Sequence, residues 1–165
     1  MLVIKTVLWL SVGVVIFMLG LPYYILKQAG EAFSFDIGPF RWLGLLVLAA
    51  GLILFVYTMF NLVHFGRGTP SPWVAPTKNL VSSGPFGLVR NPAYMAVITI
   101  LTGDAVLFQS YALIIYAMAW WLVFHIFVVV YEEPDMKARF GDSYQEYCRN
   151  VPRWMPKRSS KTRAS

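Results

Sequence analysis

The sequence of 165 residues is long enough for one domain, and its composition is that of a membrane protein. Hydrophobic residues make up 58% of the chain and charged residues only 13%, whereas a soluble domain carries about 25% charged residues. This balance excludes a disordered chain or a coiled coil, which need many more polar side chains. The single cysteine, Cys148, excludes an internal disulfide, and the chain has only two histidines to join it in a zinc site.

Four apolar stretches predict four membrane-spanning helices, at about 6–26, 42–63, 93–108 and 111–131, and only the third contains a charged residue, Asp104. The third stretch reaches only about 24 Å as a helix, against a hydrocarbon core of about 30 Å, so a re-entrant segment is its alternative. If it spans the membrane, a turn near Gln109-Ser110 sends the chain back. The first stretch is too long for a signal peptide and lacks a clear cleavage site. We predict an all-α, polytopic membrane protein with about four transmembrane helices and C-terminal interfacial helices.

The charges are distributed unevenly between the two sides of this arrangement. Twelve of the fourteen lysines and arginines fall on the side of the N-terminus, the 64–92 loop and the C-terminal tail, and only Lys27 and Arg41 lie opposite. The positive-inside rule therefore predicts cytoplasmic termini, and we expect a multi-pass protein of a bacterial or archaeal inner membrane. Residues 1–156 are expected to form one domain, and residues 157–165 a basic tail on anionic lipid. Gly13, Gly44 and Gly51 could serve helix packing within or between chains, so the oligomeric state stays open.

The polar loop before the third helix is rich in proline and glycine, which predicts an extended segment ending in a turn at 83–87. Asn91 suits an N-cap and Pro92 the first helical position. The third helix should therefore begin at the membrane surface with free N–H groups, which favour a bound anion. The alternative is an ordinary helix start with a snorkelling Arg90.

Two adjacent carboxylates, Glu132 and Glu133, lie at the end of the fourth helix, where they oppose the helix dipole. We expect a cation to offset them: Arg90, Arg139 or a positively charged ligand. A solvated acidic helix end is the alternative. His125 precedes Glu132 by seven residues, which predicts a shared helix face, and by itself it fits a hydrogen-bonded interior histidine.

An aromatic stripe follows, with a helix break expected at Gly141 and an interfacial anchor at Trp154. Packing alone explains this stripe without any ligand. Its members recur at helical spacing: Met136, Phe140, Tyr144 and Tyr147.

Over residues 66–156 the chain resembles the isoprenylcysteine carboxyl methyltransferase and phospholipid methyltransferase superfamily of integral membrane enzymes. Each matching piece is short, but the pieces occur together in the order and at the spacing that this superfamily has. They are Leu80-Val81, Gly84-Pro85-Phe86, Arg90-Asn91-Pro92-Ala93-Tyr94, Glu132-Glu133, Phe140-Gly141, Tyr144, Tyr147 and Val151-Pro152.

The resemblance implies S-adenosyl-L-methionine as the methyl donor and a lipophilic acceptor, such as an isoprenoid or a lipid. Residues 66–156 would then be the catalytic and cofactor-binding part, with no metal and no nucleic acid involved and with membrane lipids as partners. Carried over by position, the donor-binding residues are Lys78, Asn79, Leu80, Val81, Phe86, Asn91, Pro92, Ala93, Tyr94 and Glu132.

The sequence departs from the superfamily pattern at two positions. Asn91 stands where the best-known members have histidine, and Val128 stands where they have an arginine thought to face the acceptor. The prenylcysteine carboxylate is therefore not assumed as the substrate. We hypothesise that Arg139 replaces the missing arginine, which makes Glu132 and Arg139 the candidate catalytic residues. The alternatives are an NADPH-dependent enzyme like the sterol reductases and a non-catalytic accessory protein of the same fold.

Overall fold

The computed structural model describes residues 14–67 and 77–156, and the regular structure in these residues is helical apart from one isolated bridge between Ser34 and Ser110. The start of the first predicted span, most of the proline-rich loop and the basic tail lie outside the described residues. A π-helical turn, Val14–Gly20, leads into α1 (Leu21–Ala29). It is followed by α2 (Leu43–Gly66), α3 (Pro85–Leu88), α4 (Pro92–Leu107), α5 (Tyr111–Phe127) and α6 (Glu133–Asn150).

Two helices among the described residues are long and apolar enough to cross a membrane, Gly38–Gly66 and Tyr111–Asn150. Only 22% and 17% of their most apolar windows are buried inside the protein, whereas a core helix of a soluble protein would be mostly buried. The apolar side chains therefore face outward, as expected for contact with lipid. The predicted count of four spans is not confirmed. Pro92–Leu107 is apolar but short, and residues 6–13 of the first predicted span are not described.

Glycines bring α2 and α4 together backbone to backbone. A Cβ atom at Gly44 would lie 2.5 Å from the Leu107 nitrogen, and one at Gly103 would lie 2.6 Å from the Leu48 nitrogen. At Gly51 the nearest backbone atom is the Ile100 nitrogen, at 2.9 Å. Gly44 and Gly51 thus serve packing within one chain, and this packing fixes the position of α4 along α2.

The far end of α4 is held by the loop between α1 and α2. The predicted turn at 109–110 is confirmed, with Gln109 at a φ of 51°. The Phe35 backbone N–H donates to the Gln109 carbonyl (2.9 Å), and the Gln109 side-chain amide donates to Asp36 (3.0 Å). The Gly38 backbone N–H and the Gln109 side-chain amide both donate to the Asp36 carboxyl and hold its pKa below its usual range.

A π-helical turn, Val128–Glu132, joins α5 to α6. Pro134 has no N–H to offer the Val130 carbonyl, which favours a local change from the α-helical hydrogen-bond pattern. The predicted break at Gly141 is confirmed: its φ of 55° and ψ of −128° divide α6 into two helical segments. The helical geometry therefore changes at the two glutamates and is interrupted again at Gly141, in the middle of α6.

Candidate functional site

The start of α4 has the geometry that the sequence predicts, except for its side-chain cap. Asn91 occupies the N-cap and Pro92 the first turn, but the Asn91 side chain makes no capping hydrogen bond. Its amide instead donates to the Arg153 carbonyl (3.2 Å), and the Arg90 backbone N–H donates to the Pro152 carbonyl (2.9 Å). The N–H groups of the first turn are thus not capped by Asn91, and the positive end of the helix dipole remains available to an anion.

Glu132 and Tyr94 meet at this helix start, although 38 residues separate them in the sequence. The Tyr94 hydroxyl donates a hydrogen bond of 2.8 Å to the Glu132 Oε2, and the Tyr94 ring packs on Phe124 with centroids 4.7 Å apart. Glu132 is half-buried at the end of the π-helical turn. The hydrogen bond and the ring contact together fix the carboxylate beside the first turn of α4.

Glu133 lies in a different environment from Glu132, in which two arginines neutralise its charge. Arg153 binds it through two parallel hydrogen bonds of 2.7 and 2.8 Å, and Arg90 lies 3.0 Å away. The bond to Glu133 raises the pKa of the Arg153 guanidinium above its already high value. Among the described residues the ion pairs involve Glu133 and Asp135, and none involves Glu132. The expected cation is therefore present at Glu133, whereas Glu132 has only a neutral partner, Tyr94.

The loop residues before α3 lie between the end of α2 and α6. The Lys78 backbone N–H donates to the Gly66 carbonyl (2.8 Å), and the Asn79 amide donates to the Phe65 carbonyl (3.1 Å), with both side chains exposed. Leu80 packs on a buried cluster that contains the aromatic stripe, and Val81 is buried. This cluster consists of Tyr144, Tyr147 and Val151, with Met136, Phe140 and Cys148 packed against it.

Phe86, the other apolar residue of the predicted donor site, belongs to α3 and is half-buried. Its carbonyl accepts a hydrogen bond of 2.7 Å from the Tyr147 hydroxyl. The aromatic stripe therefore acts as packing, as the sequence indicates, and it holds both Leu80 and the backbone of Phe86 against α6.

Arg139 lies on the loop side of α6. It donates to the Thr77 carbonyl and to Asp135, with the latter bond at 3.2 Å, and its guanidinium stands 5.1 Å from the centre of the Phe140 ring. These contacts bring Arg139 next to Lys78, since Thr77 immediately precedes Lys78 in the chain. They connect it to the loop and to its own helix rather than to the two glutamates.

His125 is bound by the C-terminal segment. The Trp154 indole N–H donates to the His125 Nδ1 (3.1 Å), and Trp121 stacks on the His125 ring at 5.4 Å. The interpretation of His125 as a hydrogen-bonded histidine agrees with this contact. The π-helical turn lies between His125 and Glu132 and has more residues per turn than an α-helix, so the face that their spacing predicts them to share stays a prediction.

Arg153 is the residue at this site that the sequence does not single out. It is one of eight basic residues after the fourth predicted span, and 20 residues separate it from Glu133, so no helical spacing connects them. A search of residues 14–67 and 77–156 finds no group of three side chains that could hold a metal ion. The site brings together a carboxylate that has no cationic partner among the described residues, a helix start and an apolar loop segment.

Residues 39–143 match the family model described as phospholipid methyltransferase. None of the curated proteins compared with the chain matches it. The matched region contains α2, α4 and α5, together with both glutamates and all the predicted loop residues. It covers more than half of the chain and agrees with the resemblance drawn from the sequence motifs. The chain therefore belongs to the phospholipid methyltransferase family, a family of membrane methyltransferases.

Proposed function

We propose that the protein transfers a methyl group from S-adenosyl-L-methionine to a lipophilic acceptor, with the donor bound between the start of α4 and Glu132. The observation that carries this proposal is the set of contacts around the Glu132 carboxylate. Its half-buried carboxylate is fixed by Tyr94 and has no cationic partner among the described residues, and it stands beside a helix start that lacks a side-chain cap. A site with one anionic and one anion-attracting element suits a ligand of mixed charge.

The charges of the donor suit these residues. Its carboxylate matches the N–H groups in the first turn of α4, such as that of Ala93 next to Asn91 and Pro92, and its ammonium and sulfonium groups match Glu132. Pro92 itself has no N–H to donate. The apolar side chains of Leu80, Val81 and Phe86 suit the adenosine part. In this proposal Lys78 and Asn79 contribute chiefly through their backbone, which is fixed because both N–H groups donate to the Gly66 carbonyl. The Lys78 side chain is exposed, and the Asn79 amide is already bound to the Phe65 carbonyl.

The bound donor supplies an electrophilic methyl group, and the residues of the chain contribute by position. Tyr94 holds the Glu132 carboxylate in one orientation, so the donor is bound without reorganising the site. Fixed geometry in a site shielded from water is the main source of rate in such a displacement. An acceptor carboxylate needs no proton removal, whereas an acceptor amine must first lose a proton. We assign Arg139 to contact with an anionic acceptor group near Thr77.

The acceptor would enter from the bilayer. The outward faces of α2 and α5 carry exposed apolar side chains, among them Ile53 at 71% and Met118 at 65% exposure, so the lipid environment adjoins the site. We propose that this end of the bundle lies at the cytoplasmic surface, which the excess of basic residues on this side supports. The family match does not favour the reductase or accessory alternatives.

Calorimetric titration of the purified protein in lipid nanodiscs with S-adenosyl-L-methionine, and separately with NADPH, tests the donor assignment. We expect Glu132→Gln to weaken donor binding by roughly tenfold to a hundredfold, because a hydrogen bond to a charged group contributes about 1.5–3 kcal/mol. Glu146→Gln is the matched control, because this exposed glutamate lies in α6. If the unaltered protein fails to bind the donor, or if both variants bind alike, the proposal is wrong. Mass spectrometry of membranes incubated with a labelled donor then identifies the acceptor.

A further inference from the structure

Three consecutive residues near the C-terminus, Pro152, Arg153 and Trp154, attach to three different helices. We call them the C-terminal clasp. Their carbonyls at 152 and 153 accept hydrogen bonds from Arg90 and Asn91 at the start of α4, and Trp154 donates to His125 in α5. Only the Arg153 side chain reaches the first residue of α6, Glu133. Arg153 therefore carries two separable roles, a backbone contact to Asn91 and a charge contact to Glu133.

The charges around the start of α4 balance. Glu132 and Glu133 contribute two negative charges, and Arg90 and Arg153 contribute two positive charges, while Asp135 and Arg139 form a pair of their own. The side chains of Arg90, Glu133 and Arg153 are only 12%, 19% and 33% exposed. Charges shielded from water in this way are weakly screened, so a change in their sum acts on any charged ligand nearby.

Arg90 alone does not neutralise Glu133 as well as Arg153 does. A single Arg90 nitrogen lies 3.0 Å from Glu133 and also donates to the Cys148 sulfur at 2.7 Å, and the buried Arg90 Nε has no hydrogen-bond partner. Arg153 makes a bidentate contact with Glu133, with hydrogen bonds of 2.7 and 2.8 Å, and this geometry is the stronger one. Loss of Arg153 would therefore leave Glu133 partly uncompensated beside Glu132.

Methyl transfer changes the charge of the donor, so the net charge of the site affects the binding of the donor and of the product differently. The bond between the donor sulfur and the methyl carbon breaks as the acceptor's electron pair forms the new bond, and the sulfur keeps the electron pair of the broken bond. The positive sulfonium becomes a neutral thioether, so the donor and the product, S-adenosylhomocysteine, differ by one positive charge. A more negative site binds the donor in preference to the product.

We infer that Arg153 is a specificity-determining residue that sets the ratio of donor to product affinity. Because Arg153 neutralises Glu133, the negative charge that favours the donor over the product comes from Glu132 alone. Without Arg153, the charge of Glu133 would add to it. The inference rests on the proposed function, since it takes S-adenosyl-L-methionine as the donor.

The test compares the dissociation constants of S-adenosyl-L-methionine and S-adenosylhomocysteine by calorimetry at low and physiological salt. For Arg153→Met we expect the donor-to-product affinity ratio to rise by about threefold to tenfold at low salt, and by less at physiological salt. Glu133→Gln makes the site more positive and should lower the ratio. The double variant Arg153→Met/Glu133→Gln should return the ratio to about that of the unaltered protein. Arg149→Met, which removes an equal charge from an exposed position of α6, should leave the ratio unchanged.

A purely structural role for Arg153 would weaken both ligands alike, so an unchanged ratio in Arg153→Met overturns the inference. If Arg153→Met does not fold, Glu133→Gln alone decides, because an unchanged ratio in that variant has the same meaning. Trp154→Phe breaks another contact of the C-terminal clasp without changing the charge, and a ratio shift there would also contradict the electrostatic reason. Failure of the unaltered protein to bind either ligand rejects the proposed function itself, which is a different result.

Discussion

Gly44→Ala tests whether the close contact between α2 and α4 stabilises the fold. The added methyl group would lie 2.5 Å from the Leu107 nitrogen, 2.7 Å from the Gly103 oxygen and 2.9 Å from the Leu107 Cα. All three are backbone atoms, so no side-chain rotation can relieve the contact. The two helices must separate by roughly an ångström to restore ordinary contact distances, which leaves gaps along the rest of their interface.

Overpacking of this kind costs about 1–3 kcal/mol, which corresponds to a fall of roughly 2–12 °C in the unfolding midpoint of a chain of this size. The protein provides its own probe for the measurement. Cys148 is its only cysteine and is half-buried, so a thiol-reactive fluorophore reports its exposure when the protein unfolds in detergent. The midpoint is read from the rise of fluorescence on heating.

Ala50→Val is the matched control, because it adds bulk at an exposed position of the same helix. We expect its unfolding midpoint to equal that of the unaltered protein. An equally stable Gly44→Ala variant would refute the reasoning, since it would mean that α2 and α4 do not approach as closely as the structure has them. Gly103→Ala, whose new methyl would lie 2.6 Å from the Leu48 nitrogen, repeats the test from the other helix.

Three further predictions concern single polar groups. Tyr94→Phe keeps the ring contact with Phe124 but removes the hydrogen bond to Glu132, so we expect donor affinity measured by calorimetry to fall by about tenfold, and unchanged affinity would contradict the proposed role of Tyr94. Asp104 is buried near the C-terminal end of α4, where a carboxylate opposes the helix dipole, so Asp104→Asn should raise the unfolding midpoint by about 2–4 °C, and a lower midpoint would contradict this. The lowered pKa of Asp36 implies a contribution to stability that is present above the pKa of the unfolded chain and lost as the pH falls through the folded value. Acidification below about pH 4 should therefore destabilise the unaltered protein more than Asp36→Asn, which is measured with the same thermal assay across pH.

The features that the sequence predicts correctly are those fixed by neighbouring residues. The N-cap and first turn at Asn91 and Pro92, the turn at Gln109 and the helix break at Gly141 each follow from the backbone preferences of one or two residues. The aromatic stripe follows from helical spacing in the same way. Local chemistry determines such features whatever the rest of the chain does.

The features that the sequence does not predict depend on contacts between distant segments. Arg153 reaches Glu133 across 20 residues and Trp154 reaches His125 across 29, and no periodic pattern records either pair. The same holds for the glycines: their sequence shows that helices can approach there, but only the packed helices show that the partner of Gly44 is α4 of the same chain. The roles proposed for the loop residues 78–81 and for Arg139 stay predictions.

The difference between the two glutamates also has a physical origin that sequence patterns hide. Neighbouring residues of a helix point about 100° apart, so Glu132 and Glu133 must face different surroundings, but the sequence does not show which of them pairs with an arginine. The π-helical turn ends at Glu132, and α6 begins at Glu133, so the two side chains leave the backbone at a change of helical geometry. One then faces Tyr94 and the other faces Arg90 and Arg153. The π-helical turn, favoured by the missing N–H of Pro134, thus lies where a carboxylate neutralised by two arginines follows one that has no cationic partner among the described residues.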